Sequence, residues 1–380
     1  MPDLEQVEQM FRAQVNEQRL YPGAALAVSV NGQVVLDLVI GYADTQRATR
    51  VDAESLFPMF SGSKPLGAVA LWQQVEKGRL SLDDRVADHW PAFGSNGKDA
   101  VLVRHILCHR GGFPSTPESL PRAAWDHAQH VNRILETLTL ETRPGVTSSY
   151  HFLTQHWVIA ELIRIVDGRT YQSYLREEIL NPLGLEQSHI VVSPDLEERC
   201  VKLHATDGTD EWGVEVIRSM DDDPIYRAVV PGGSLVSTAA DMARFYAAIA
   251  LGGAIDGAQI LRPETVDRML EVAVLDEIDP SFDLPVRRCY GFELGGLNEP
   301  RRHWPGATST LRTFWHGGMG SSVCWGDRDT GLAVAFLTNG IRRDKAGAIA
   351  RRDLSDAIRS AFLGTERSSG AAHAPWRGPL

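Results

Sequence analysis

Along residues 4–19, apolar side chains recur at Leu4, Val7, Met10, Phe11 and Val15, a spacing that puts them on one face of a helix. The period then changes. Residues 24–30 and 33–40 are apolar, β-rich runs parted by Asn31-Gly32, a pair whose tolerance of positive φ marks a hairpin turn. Helical spacing returns at 64–77, 101–109, 128–138, 153–166, 171–180 and 239–250. Thr238 and Asp241 form a capping box for the last of these. Strand character reappears at 312–316, 321–326 and 332–338, with Asp327-Arg328-Asp329-Thr330-Gly331 as a turn, and a closing helix covers 344–362.

Strands at both ends with helices between predict an α+β protein. One antiparallel sheet is built from both chain ends, with helices on its flanks and a helical insertion beside it. The expected division is a discontinuous sheet domain, 1–60 with 285–364, a mainly helical domain over 61–284, and a flexible tail at 365–380 rich in Ser, Ala, Gly and Pro. There is no internal repeat and no low-complexity segment.

Composition narrows the function classes. At 380 residues, 43% hydrophobic and 23% charged, the chain has the balance of a soluble globular protein. A net charge of −11 argues against nucleic acid as the main partner, since phosphate binding needs a surplus of Lys and Arg. Cys108, Cys200, Cys289 and Cys324 are far apart and make no C-x-x-C pair, so neither a zinc knuckle nor a redox dithiol is signalled. The acidic opening Met1-Pro2-Asp3-Leu4-Glu5-Gln6 lacks a secretory pattern, and no apolar run approaches the ~20 residues that span a bilayer. The expectation is a cytoplasmic protein without a membrane partner.

Three short segments carry the candidate chemistry. In Phe60-Ser61-Gly62-Ser63-Lys64, Ser61 and Lys64 lie three apart at a helix start and so face the same way. A serine hydroxyl is a weak nucleophile until its proton is taken. A lysine can take it once burial and the positive helix end lower its pKa. The second segment, Pro144-Gly145-Val146-Thr147-Ser148-Ser149-Tyr150, is a turn leading to a tyrosine at the head of a helical stretch. A phenol beside an ammonium can share protons with serine and leaving group. The third, Trp315-His316-Gly317-Gly318-Met319, ends a β-run. Paired glycines there admit a substrate close to the backbone, whose N–H can meet an acyl oxygen. Each segment also has a plain reading: a chance surface S-x-x-K, a core tyrosine, a simple Gly-Gly turn.

Together, and in this order, the three resemble the serine β-lactamase and penicillin-binding-protein superfamily, closest to its class C branch and the family VIII carboxylesterases. The resemblance covers about residues 20–362 and includes Gly41-Tyr42-Ala43-Asp44, Gly78-Arg79-Leu80-Ser81-Leu82-Asp83-Asp84, Leu107-Cys108-His109 with Gly112-Phe113-Pro114, and Pro231-Gly232-Gly233-Ser234-Leu235-Val236-Ser237-Thr238. It implies Ser61 as nucleophile, Lys64 as general base, Tyr150 as second proton carrier, and an oxyanion hole from the N–H groups of Ser61 and Met319. No cofactor or metal is implied.

Two departures point to the subfamily. The tyrosine motif of the β-lactamases reads Tyr-x-Asn, whereas this chain has Phe152, whose side chain cannot hold the antibiotic's amide. Their third motif reads Lys-Thr-Gly, whereas here His316 and Gly317 stand in the places of the lysine and threonine. Losing a cation and two hydrogen bonds should cost several kcal/mol of selective binding, at ~1–3 each. The expected activity is therefore cleavage of a small acyl ester, with Phe152, His316, Gly317 and Gly318 facing substrate. A D-amino-acid peptidase or amidase, a weak β-lactamase, and a non-catalytic binding protein are the alternatives. The chain contains no Gly-x-Ser-x-Gly elbow. His105 and His109 with Cys108 offer an incomplete metal face, Asp221-Asp222-Asp223 reads as a solvated loop, and Trp304, Trp315 and Trp325 read as core more than acyl pocket.

Overall fold

The computed structural model describes residues 4–114, 120, 124, 125, 127–206, 211–296 and 305–363. The expected tail at 365–380 and Trp304 lie outside the described residues. Nine strands form one antiparallel sheet: β1 (Gly23–Val30), β2 (Gln33–Asp44), β3 (Thr49–Arg50), β4 (Val274–Asp279), β5 (Leu284–Arg288), β6 (Glu293–Leu294), β7 (Thr313–Gly318), β8 (Ser322–Asp327) and β9 (Leu332–Thr338). Their order is β3-β2-β1-β9-β8-β7-β6-β5-β4. The two chain ends meet where β1 pairs with β9, Leu26 opposite Phe336. This is the antiparallel α+β architecture expected from the strand pattern, and the arrangement that the family resemblance implies.

Period-two alternation assigns the strand side chains to two faces. Leu26, Val28, Trp325, Val334 and Phe336 pack with Val7 and Phe11 of α1 (Leu4–Asn16) and Leu354 and Ile358 of α5 (Lys345–Leu363). Ala25, Ala27, Ala333 and Ala335 face the other way, toward α4 (Ala239–Ala250), whose own alanines let helix and sheet approach closely. Beyond α4 lie α2 (Lys64–Glu76) and α3 (Thr154–Asp167), packed on each other. Trp315 and Trp325 belong to the core on the α1/α5 face.

Three details depart from the pattern reading. The sheet region begins before residue 285, because β4 is its edge strand. That segment, Val-Leu-Asp-Glu-Ile-Asp, buries only Val274 and Asp279, so its strand period is masked by acidic residues. Asp221 and Asp222 are solvent-exposed but close a helix, Glu211–Asp222. Tyr150 lies in the loop before α3. No helix among the described residues is long and apolar enough to cross a membrane.

Candidate active site

Ser61 opens from a tight turn, Phe60–Ser63, immediately before α2. Phe60 has φ +46°, a left-handed conformation that a bulky residue adopts only when its surroundings hold it there. Its ring is buried with Leu56, Val192 and Tyr226, and the Met319 side chain packs against the same cluster. Ser63 Oγ donates to the Phe60 carbonyl at 2.6 Å and accepts the Leu235 N–H at 3.1 Å, which locks the turn. The turn lies against β7. A Cβ on Gly318 would run into the Met59 carbonyl, so only glycine permits this approach. β7 pairs with β6 only at Phe314 and Trp315, and the Gly317-Gly318 backbone extends beyond that pairing.

Lys64 is 1% exposed. Its Nζ lies 3.1 Å from Ser61 Oγ and donates to the carbonyls of Phe152 at 2.8 Å and Gly232 at 3.0 Å. Among the described residues, no ion pair joins Lys64 to a carboxylate. Burial therefore acts unopposed and lowers its pKa to about 7. A neutral amine keeps two hydrogens and one lone pair. With both carbonyls holding N–H bonds, the remaining direction faces the serine.

The Tyr150 ring is buried between chemically different neighbours. Its centroid lies 4.6 Å from that of His109, 5.1 Å from Phe152, 5.2 Å from Phe282 and 6.3 Å from His316. Lys64 Nζ is 5.3 Å and Arg288 Cζ 5.8 Å from the same centroid. The Tyr150 N–H donates to the Asp279 carboxylate, at 3.1 Å to Oδ2. Asp279 also pairs with Arg288 at 2.5 Å, and Arg288 reaches Glu293 at 2.8 Å and Ser148 Oγ at 2.7 Å. Burial alone would lower the pKa of this guanidinium, but Glu293 and Asp279 outweigh burial and its pKa rises above the ordinary value.

Nearby imidazoles are held neutral. Burial first, then Arg288, pushes His109 far down, and burial first, then Lys64, does the same to His156. In its neutral state His156 Nε2–H can donate to the Lys64 carbonyl, 3.0 Å away. The His105/His109 pair is engaged with backbone: His109 Nδ1 accepts the His151 N–H and His105 Nδ1 accepts the Leu102 N–H.

The structure thus brings Ser61, Lys64, Tyr150 and Phe152 together. His316 is buried, as Lys64 and Tyr150 are, and lines one small cavity with Lys64, His156 and Glu293. The Arg288–Asp279–Glu293 group and Phe282 escaped sequence reasoning. Arg288 sits in a short strand whose charged neighbours read as solvent-facing. Gly232 was visible as part of Pro231-Gly232-Gly233, but nothing there disclosed its carbonyl as a lysine partner.

Comparisons with known proteins place the fold and the family. The Mycobacterium tuberculosis protein named esterase/beta-lactamase LipL is 29% identical over 348 residues, covering 84% of this chain and 78% of that one. A penicillin-binding protein homologue from Caulobacter crescentus superposes with TM-score 0.80 at 27% identity, over 95% of this chain and 98% of the other. A family VIII carboxylesterase shares the fold at TM-score 0.83 and 21% identity, over 95% and 98% of the two chains. The beta-lactamase family model matches residues 7–357, and with the fold shared at that length the chain belongs to the beta-lactamase family, as a hydrolase.

Proposed function

We propose that the protein is a carboxylesterase-like serine hydrolase working through an acyl-enzyme on Ser61. The observation that carries this reading is Lys64, buried without a carboxylate, fixed by two carbonyls and set 3.1 Å from Ser61 Oγ with its pKa lowered to about 7. Such an amine is available as a base near neutrality. Lys64 with Tyr150 takes the serine proton as Oγ attacks the ester carbonyl. The oxyanion rests on the N–H groups of Ser61 and Met319. Tyr150 then protonates the leaving alcohol, and water, or an acceptor alcohol or amine, releases the acyl group.

Phe152 and His316 support esters over β-lactams. The first offers lysine a carbonyl but gives substrate a hydrocarbon ring, and the second puts an imidazole where the β-lactamases carry a lysine cation. A second reading, slow β-lactam turnover, is favoured by the likeness to a relative named esterase/beta-lactamase.

A serine-directed fluorophosphonate tests the proposal. One adduct is expected, on Ser61, abolished by Ser61→Ala. Ser63 and Ser234 are buried, with hydroxyls engaged by Phe60, Leu235 and Val230. An adduct on either, or none anywhere, would overturn the assignment. Efficient hydrolysis of a chromogenic cephalosporin at pH 7.5 would overturn the preference for esters.

A further inference from the structure

The Gly232 carbonyl that holds Lys64 belongs to a turn that closes on itself without fixing it. Val230 O accepts the Gly233 N–H at 2.9 Å and the Ser234 N–H at 3.0 Å, and Ser234 Oγ accepts the Val230 N–H at 3.0 Å. Two carbonyls of the turn, those of Pro231 and Gly232, are bonded from outside it. Without a side chain, Gly232 can turn its carbonyl through a wide range of backbone angles. Its direction therefore depends on what holds the peptides beside it.

Pro231 is held by Tyr171. Thr170 Oγ1 accepts the Ser173 N–H at 3.2 Å and caps the short helix Tyr171–Leu175, whose first residue lies in the core at 5% exposure. The Tyr171 hydroxyl donates to the Pro231 carbonyl at 3.2 Å, while Lys64 Nζ donates to the next carbonyl, that of Gly232, at 3.0 Å. Burial raises the pKa of this phenol, so it stays a donor throughout the neutral range. α2 makes room for it. Gly67 lies one turn after Lys64, and a Cβ there would stand 2.7 Å from the Tyr171 hydroxyl oxygen and 3.0 Å from His156 Cδ2.

We propose that Tyr171 is a positioning residue for Lys64: acting through Pro231, its hydroxyl fixes the Gly232 carbonyl on Nζ and so leaves the lone pair of the amine turned toward Ser61. The proposal rests on the reading of Lys64 as the base and adds to it a residue that acts through one turn of backbone rather than on the reacting atoms.

Tyr171→Phe keeps the ring and removes the donor. For a simple ester kcat should fall about tenfold while KM stays within about twofold, because the amine is misdirected and the substrate surface is kept. A carbonyl stabilises an ammonium more than an amine, so the pH midpoint of kcat/KM should also move down, by at least about half a pH unit. Tyr174→Phe is the control. It removes a buried hydroxyl from the same helix, one whose partner is Lys77, and should leave kcat and midpoint unchanged. Gly67→Ala pushes the Tyr171 hydroxyl off its partner, so it should lower kcat, and by a smaller factor where Tyr171 is already Phe. An equal factor in both backgrounds, or a Tyr174→Phe loss matching that of Tyr171→Phe, overturns the proposal.

Failure of the base reading is separable. In protein carrying isotope-labelled lysine, the Cε resonance absent from Lys64→Met follows the Lys64 titration by NMR without turnover. Tyr171→Phe should move that titration down as it moves the kinetic midpoint. The other titratable groups around the amine, Tyr150, His109, His156, Arg288, Glu293 and His316, are the same in both proteins, so the change reports the Gly232 carbonyl. A moved titration with unchanged kcat keeps the hold on Gly232 and overturns Lys64 as the base. An unmoved titration overturns the proposal itself.

Discussion

The chain buries two cations near the Tyr150 ring, and the regions that hold them treat charge in opposite ways. In the nucleophile turn, Lys64 meets two carbonyls and a hydroxyl, and its pKa falls to about 7. In the β4–β6 corner, Arg288 meets two carboxylates and a serine, and its pKa rises. Carbonyl dipoles hold an amine in place but do not repay the loss of hydration, whereas carboxylates do. One region therefore has a base that can change protonation near neutral pH. The other has a fixed charge group that holds Tyr150 by its backbone.

The largest expected effect separates these roles. Lys64→Met and Lys64→Arg should both lower kcat by about a hundred- to ten-thousand-fold, because a guanidinium stays charged and cannot accept the serine proton. Tyr150→Phe should do likewise, and the double variant should be little worse than either single one. Substantial activity in Lys64→Arg, or losses that multiply, would break the base assignment.

Stability should show the reverse ranking. Arg288→Met strands Asp279 and Glu293 and should cost about 3–5 kcal/mol in urea unfolding. Lys64→Met removes an amine with no carboxylate partner among the described residues, so it should unfold no more easily than the unmodified chain at pH 7. The Lys64 amine titrates at about 7 when folded, against ~10.4 unfolded. Between these values the unfolded chain binds more protons, so the unmodified chain gains stability with rising pH relative to Lys64→Met. A large stability loss in Lys64→Met would show that the two cations are held alike.

Activity should follow the same titration. In the proposed mechanism the neutral amine is the active form, so kcat/KM for a neutral ester should rise as pH passes through about 7 and level off above it. A profile flat from pH 5.5 to 8.5 would remove Lys64 as the titrating base.

The smallest effect is expected at His316. Its ring is buried against Tyr150, so the ratio of anionic to neutral ester turnover should change by less than about threefold between pH 6 and 8. A tenfold gain for the anionic ester at pH 6 would put the imidazole against substrate.

Period and spacing alone determined much of this protein. The Asn31-Gly32 hairpin, the α1 stripe, the strand character of β8 and β9, and the Ser61–Lys64 spacing are local, because each is set by residues within a turn or two of one another. The resemblance added which serine, lysine and tyrosine to join. The third dimension decided the environment of each. Lys64 has a lowered pKa because burial strips its hydration, and Phe152, 88 residues away, and Gly232, 168 away, hold it with carbonyls that do not offset that loss. Arg288, Asp279 and Glu293 became one buried unit because β4, β5 and β6 bring them together beside the Tyr150 loop. Burial and partner identity set a group's charge, and neither is a property of its neighbours in the chain.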